Sequence, residues 1–434
     1  MRASFIGLVL AASLGAGGCG SSAASHNPGT AGVGGHAGAG RPPSGAAGAF
    51  GGDGGAGVVS GAAGIPDPSG VAGAGSSSAG ASGVGGALTG SAGASGAGGA
   101  AICAVACTSD EYCSAGVCKS RLTEFSTSSA GYLPNYITAG SDGNLWFTAG
   151  DIGRITPTGA LTFFPPVTPG TVPAGIYIEG VDVGITKGPD GNVWYPVVAL
   201  DGNAYLTSMD PTGVTTSYAL PGDVYAAFGE IATGPDGNLW LAVTSLDIQD
   251  DSTLFVGTPT GTATTITLPT AAADPFGIVA GPDGNLWVTE TNQSQIARVT
   301  PGGTVTELPI PGATTSHPAT PTGIAAGQDG NVWFTENGVQ AIGRVTPAGS
   351  ITSYRTTGPT QDLCAGPDGN IWFTGYISAG SQPLYYLGRL TLDGTISEYL
   401  VPGLALSITA GPDGNLWFTE PSAGKIGRFV PPPR

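Results

Sequence analysis

Gly411-Pro412-Asp413-Gly414-Asn415-Leu416-Trp417 is the last of seven copies of one phrase. The others are GSDGNLW at 140–146, GPDGNVW at 188–194, GPDGNLW at 234–240 and 281–287, GQDGNVW at 327–333 and GPDGNIW at 366–372. All 7 tryptophans of the chain occupy the final slot of the phrase, 39 to 48 residues apart. A period of that length suits a four-stranded propeller blade. Asp and Gly supply the backbone angles of a tight turn, so the phrase reads as a hairpin between two strands.

Working outward, each unit reads as four strands. A short apolar strand such as Gly277-Ile278-Val279-Ala280 precedes the turn, and one such as Leu416-Trp417-Phe418-Thr419-Glu420 follows it. A third carries Ile-Gly-Arg, as at Ile152-Gly153-Arg154 and Ile342-Gly343-Arg344. Turns such as Thr300-Pro301-Gly302-Gly303 lead to a fourth, such as Val305-Thr306-Glu307-Leu308. After the seventh phrase only Phe429-Val430 and Pro431-Pro432-Pro433 follow, with no fourth strand. Leu122-Thr123-Glu124-Phe125 is expected to supply it from the N-terminal side. The predicted fold is all-β, a seven-bladed β-propeller over residues 120–434, closed by an N-terminal strand that completes the last blade and leaves no open edge in the ring. The repeated arginines are expected to pair across hairpins with fourth-strand acids: Arg298 with Glu307, Arg389 with Glu398, and Arg428 with Glu124 across the closure.

Residues 1–18 read as a lipoprotein signal peptide. Arg2 precedes an apolar run, Phe5 to Leu14, that is too short to span a bilayer. Leu14-Gly15-Ala16-Gly17-Gly18-Cys19 resembles a bacterial lipobox, which makes Cys19 the expected lipidation site, with plain secretion as the alternative. Residues 19–100 are nearly all Gly, Ala and Ser. They lack the side chains that offset the entropy of ordering, so a disordered tether is expected. Its reach as a flexible coil would be roughly 50 Å. Residues 101–119 hold Cys103, Cys107, Cys113 and Cys118, which in an oxidising compartment read as two disulfides with three connectivities open. Their spacing fits a zinc site poorly. Cys364 stands alone and is expected to be a buried, inert thiol. The expected location is the bacterial cell envelope, as an outer-membrane lipoprotein or a secreted monomer that meets the membrane only through a lipid anchor.

A net charge of −17, with only 13 Lys and Arg, argues against nucleic acid as a partner. The Asp-Gly-Asn turns lack the further oxygen ligands of a calcium loop and read as structural. Asn135, Tyr136, Glu230, Thr322, Gln361, Asp362 and Ser407 open the inner strands and are expected to line the central funnel. That polar, partly acidic lining suits a polar small molecule, a glycan or a metal ion.

The string GPDGNLWFTE at 411–420, followed by Lys425-Ile426-Gly427-Arg428, resembles the virginiamycin B lyase (streptogramin B lyase) family over about residues 120–430. The resemblance implies a seven-bladed propeller that opens the lactone of streptogramin B antibiotics by magnesium-assisted elimination. It also implies histidines just before the repeat turn, one acting as general base or acid, because near-neutral pKa suits proton abstraction beside a carbonyl. An acid two residues earlier and the Glu of a Trp-Phe-Thr-Glu strand complete the implied site. The seven slots for such a histidine hold Asn135, Val183, Gly229, Phe276, Thr322, Gln361 and Leu406. His26 and His36 lie in the tether and His317 in a loop. Asp274-Pro275-Phe276 keeps the acid of the motif, and Glu290, Glu336 and Glu420 fill the strand-end position. Asp274, Glu290, Glu336 and Glu420 are therefore the candidate metal ligands, with magnesium implied by the resemblance alone. Glu290, Asp274, Glu230 and Asp362 are the candidate substitutes for the missing base, since burial can raise a carboxylate's pKa. The reading that follows is a non-catalytic, envelope-anchored scaffold for a polar small molecule, a glycan or an envelope protein. A magnesium-dependent carbon–oxygen lyase and a structural surface module are the alternatives.

Overall fold

The computed structural model describes residues 110–114, 117–127, 131–167, 184–198, 203–221, 226–245, 252–379 and 382–433. Residues 1–109, with the expected signal peptide, tether, Cys19, Cys103 and Cys107, lie outside them, as does Val183. The described residues all fall in one compact unit, Gly93–Arg434.

Seven four-stranded antiparallel sheets follow one another along the chain, and together they form a seven-bladed β-propeller. Blade 4 shows the plan: inner strand Pro275–Ala280, second strand Leu286–Glu290, third strand Gln295–Val299 and outer strand Val305–Pro309. Blade 5 repeats it with Pro321–Ala326, Val332–Glu336, Ala341–Val345 and Ile351–Arg355. In blade 7 the inner three strands are Ile408–Ala410, Leu416–Glu420 and Lys425–Phe429, and the outer strand is Leu122–Ser126, paired from Leu122↔Phe429 to Ser126↔Lys425. Helix is nearly absent: among the described residues there are two 3₁₀ turns, Asn337–Val339 and Pro421–Ala423.

The repeated phrase is one hydrogen-bonded unit. In blade 4 one carboxylate oxygen of Asp283 accepts from Trp287 Nε1 at 3.0 Å and from the Asn285 amide, while the other takes Asn285 Nδ2 at 2.8 Å. The same set recurs at Asp142, Asp190, Asp236, Asp329, Asp368 and Asp413. All seven tryptophans are buried to 2% exposure or less, and a buried indole N–H needs an acceptor. Supplying that acceptor is the job of the Asp. Its carboxylate is thereby committed within the turn, as the structural reading of these loops expected.

Each tryptophan packs toward the next blade. Trp287 clusters with Ile324, Val332, Phe334 and Val345 of blade 5, and Trp333 with Leu363, Ile371 and Phe373 of blade 6. Trp417 of blade 7 clusters with Ile137, Leu145, Phe147 and Ile155 of blade 1. The core is thus seven interblade seams rather than one centre.

The arginine pairings expected from the sequence are corrected here. Arg298 stands opposite Thr306, not Glu307, stacks over Trp287 and donates to the Pro347 carbonyl of the next blade at 2.8 Å. Arg428 stacks over Phe125 and Trp417 and donates to Pro157 O at 2.7 Å, while Glu124 pairs with Lys425 at 3.2 Å. Arg389 stands opposite Ser397 and pairs with Asp368 of its own turn at 2.8 Å. Pairing shifted by one residue sends neighbouring side chains to opposite faces of a sheet, so the acids next in line could not meet these arginines. Arg298 and Arg428 instead meet tryptophan faces and the adjoining blades' turns.

The cysteine segment is described only in part. Glu111–Ser114 and Val117–Ser120 form a hairpin that sets Cys113 opposite Cys118 in register. The pairing of the four cysteines lies outside what is described. Cys364 is a free, half-buried thiol whose pKa desolvation pushes well up.

Candidate functional site at the channel

Four of the inner strands carry a bulge near their start. The register slips between Phe228 and Ile231, Pro275 and Ile278, Pro321 and Ile324, and Thr360 and Leu363. A bulge re-aims one residue and frees its amide from the ladder. In several blades a buried threonine of the second strand catches that amide: Gly277 N on Thr289 Oγ1 at 2.8 Å, Gly323 N on Thr335 Oγ1 at 3.0 Å, and Asp362 N on Thr374 Oγ1 at 3.1 Å. Tyr136 N on Thr148 Oγ1 and Ser407 N on Thr419 Oγ1 repeat the device in blades 1 and 7.

In blade order the residues at this position are Tyr136, Gly184, Glu230, Gly277, Gly323, Asp362 and Ser407. The glycines are steric necessities. A Cβ on Gly277 would lie 2.2 Å from the Thr322 carbonyl oxygen, and one on Gly184 would lie 2.8 Å from Glu230 Cα. Inner strands approach too closely there for any side chain. What remains in the ring is a tyrosine, two carboxyls and a buried serine.

The carboxyls face one another electrostatically. Desolvation raises the pKa of Glu230 well above its ordinary value, the charge of Asp362 raises it further, and the Ile278 amide of the next blade opposes the shift. Desolvation raises Asp362 as well, against hydrogen bonds from Ile408 N at 2.9 Å and Leu363 N at 2.7 Å and from the Ser407 side chain. The Tyr136 hydroxyl is pushed up by burial and by the charges of Glu230 and Asp362. Two carboxyls that repel in a poorly solvated place favour protonation of at least one of them. Each also grips the free amide of the neighbouring blade, so the pair ties blades together while presenting an acidic point to the channel.

Of the residues expected to line the funnel, the structure therefore brings together Tyr136, Glu230, Asp362 and Ser407. Asn135, Thr322 and Gln361 sit one position earlier, all half-buried. Thr322 Oγ1 is engaged with Thr335 Oγ1 at 2.9 Å and Asn337 Nδ2 at 3.0 Å. The sequence reading passed over the ring glycines and the catching threonines. The repeated Thr two places after the Trp was the signal that could have found the latter.

The four candidate metal ligands are not brought together, and this corrects the expected set. Glu290, Glu336 and Glu420 end the second strands of blades 4, 5 and 7, each at 2% exposure or less. Glu290 accepts from Gln295 Nε2 at 2.5 Å, Glu336 from Ser353 Oγ at 2.7 Å, and Glu420 from the Gly403 amide at 3.0 Å. Asp274 is half-buried in the connection before blade 4, with a left-handed backbone at φ 53°. Among the described residues no three His, Cys, Asp or Glu side chains gather as a metal site. Magnesium requires near-octahedral oxygen ligation, which these scattered acids do not fit. Desolvation pushes the Glu290 carboxyl up to about 7, but its enclosure keeps it from a substrate. His317, the one described histidine, is exposed in a loop with its ring nitrogen 3.1 Å from Ser316 Oγ.

A seven-bladed propeller with an acid-bearing central channel is the class of protein that fold and site define. A sequence model of the Virginiamycin B lyase family matches residues 177–431, more than half of the chain, and the chain belongs to that family. A virginiamycin B lyase of Nocardia farcinica is 32% identical over 191 residues, covering 41% of this chain and 55% of that relative's length. A streptogramin B lyase structure superposes with a TM-score of 0.58 at 29% identity, covering 71% of this chain and 97% of the other. A catalytically inactive histidine-to-alanine variant of virginiamycin B lyase from Staphylococcus aureus, solved with quinupristin, superposes with a TM-score of 0.59 at 27% identity, covering 72% of this chain and 99% of that one.

Proposed function

We propose that this chain is a non-catalytic member of its family, a scaffold that binds a polar small molecule at the mouth of the channel. One observation carries the reading. A relative is inactive once a single histidine becomes alanine, and here no histidine lies at the channel among the described residues, where Tyr136, Glu230, Asp362 and Ser407 stand. The acidic pair with its tyrosine offers hydrogen-bond acceptors and a charge for a polar or cationic ligand, in a half-buried setting where such contacts count for more.

In this reading the propeller hangs from the bacterial envelope by a lipid on Cys19 and a tether over 19–100, supported by the sequence Leu14–Cys19 and by composition. The pairing of Leu122–Ser126 with Lys425–Phe429 is what holds the ring shut.

A second reading, elimination by a carboxylate base, is favoured by the raised pKa of Glu230 and Asp362, since a base poised near neutrality can take a proton beside a carbonyl. The two readings separate in a binding titration of quinupristin against the full chain and its Asp362→Asn variant. Binding of intact quinupristin, weakened at least tenfold by the substitution, supports the scaffold. Absence of binding in both proteins removes quinupristin's class as its ligand, and quinupristin consumed during the titration supports the base.

A further inference from the structure

The blades that end their second strand in glutamate invite an internal comparison. In each, the glutamate faces one third-strand residue directly: Glu290↔Gln295 in blade 4, Glu420↔Lys425 in blade 7 and Glu336↔Ala341 in blade 5. In blade 4 the partner's amide donates to the buried carboxyl at 2.5 Å. In blade 7 the partner's ammonium lies among acids, 3.2 Å from Glu124 and lowering the pKa of Glu420 by its charge. Blade 5 has only a methyl group there.

The space that Ala341 leaves is a cavity of about 230 Å³, walled by Ile310, Pro311, Ala313, Ala319 and Val339. Its polar lining is Glu336, Ser353 and Arg355. Glu336 is 2% exposed, and its carboxyl lies over Gly343, where a Cβ would come within 2.5 Å of Oε1. Ser353 Oγ donates to it at 2.7 Å. Arg355 stands opposite Ala341, so Glu336, Ala341 and Arg355 form a row across three strands. Two strand spacings put the acid and the guanidinium about 10 Å apart at their Cα atoms. Arg355 is exposed and makes no ion pair among the described residues.

We propose that this cavity is a binding site, separate from the channel, for a short aliphatic ω-amino acid whose ammonium meets Glu336 and whose carboxylate meets Arg355. The apolar walls cover a stem of a few methylene groups. A hollow of about 230 Å³ limits the ligand to a short chain. The inference does not depend on how the channel is used.

The test is calorimetric titration of the full chain with 5-aminopentanoate, with pentanoate and pentylammonium as controls. Saturable binding at or below millimolar concentration is expected, weakened at least tenfold when either charged end is missing. Ala341→Lys should abolish it by placing the chain's own ammonium in the cavity, and Glu336→Gln and Arg355→Gln should each weaken it at least tenfold. Should Ala341→Lys not fold, the other two variants decide. No binding by the native chain at tens of millimolar, or binding unchanged in the folded variants, would overturn the site. Pentylammonium binding as tightly as 5-aminopentanoate would overturn the role of Arg355.

Discussion

Replacing Glu290 by Gln should make this protein more stable at pH 8 and remove that carboxyl's share of the pH dependence of stability. Glu290 is fully buried, with one oxygen on Gln295 and the other finding no donor. Desolvation, helped by the neighbouring Glu307 and opposed by Gln295, lifts its pKa from 4.5 to about 7. Below pH 4.5 the carboxyl is protonated whether the chain is folded or not, and it costs nothing. Between 4.5 and about 7 the unfolded chain has lost the proton that the folded chain keeps, so stability falls as pH rises. At about 1.4 kcal/mol per pH unit, the full cost above pH 7 is about 3 kcal/mol. Gln carries no charge and keeps a donor for Glu307, which already accepts from the Thr270 amide and hydroxyl. Urea denaturation of the native chain and Glu290→Gln at pH 5 and pH 8 reads the effect. The native chain should lose stability between the two, and the variant should lose about 3 kcal/mol less. Parallel losses in the two proteins would refute the burial argument.

Two further changes probe the blades themselves. Asp283→Ala leaves the buried Trp287 indole without its acceptor and strips two bonds from Asn285, so it should cost about 2–4 kcal/mol in the same assay. A shift within error would mean the turn Asp is replaceable by water. Deleting the chain through Ser126 removes Phe125 from its stack on Trp417 at 5.5 Å and Leu122 from the blade 6–7 seam. Lost burial of those two half-buried side chains should cost about 1.5–3 kcal/mol, and an unchanged melting curve would show that this strand does not hold the ring shut.

The blade count was readable because one turn chemistry recurs with one tryptophan, and a seven-fold pattern leaves few alternative architectures. Tyr136, Glu230, Asp362 and Ser407 were readable as channel residues because each immediately precedes the first core position of its strand, Ile137, Ile231, Leu363 and Ile408. Thr322 and Gln361 come one residue before that ring position, and bulges that shift register leave little trace in a polar–apolar pattern. The arginines misled for a related reason. Adjacent fourth-strand residues such as Thr306 and Glu307 differ in face, and only the register decides which one Arg298 meets. The strand-end glutamates looked like one metal site because their motif is shared, yet a repeated motif places its copies on separate blades. The cavity at Ala341 had no signature of its own. It shows only when Gln295, Ala341 and Lys425 are set side by side in three dimensions.

The channel is proposed to bind without catalysing. Its most direct test is incubation of the full chain with quinupristin and magnesium from pH 6 to 9, with chromatography and fragmentation mass spectrometry to separate the intact lactone from its ring-opened isomer. The lactone should stay intact at every pH. Ring-opened product that disappears in Glu230→Gln would contradict it and make the channel carboxyl pair the base of a working lyase.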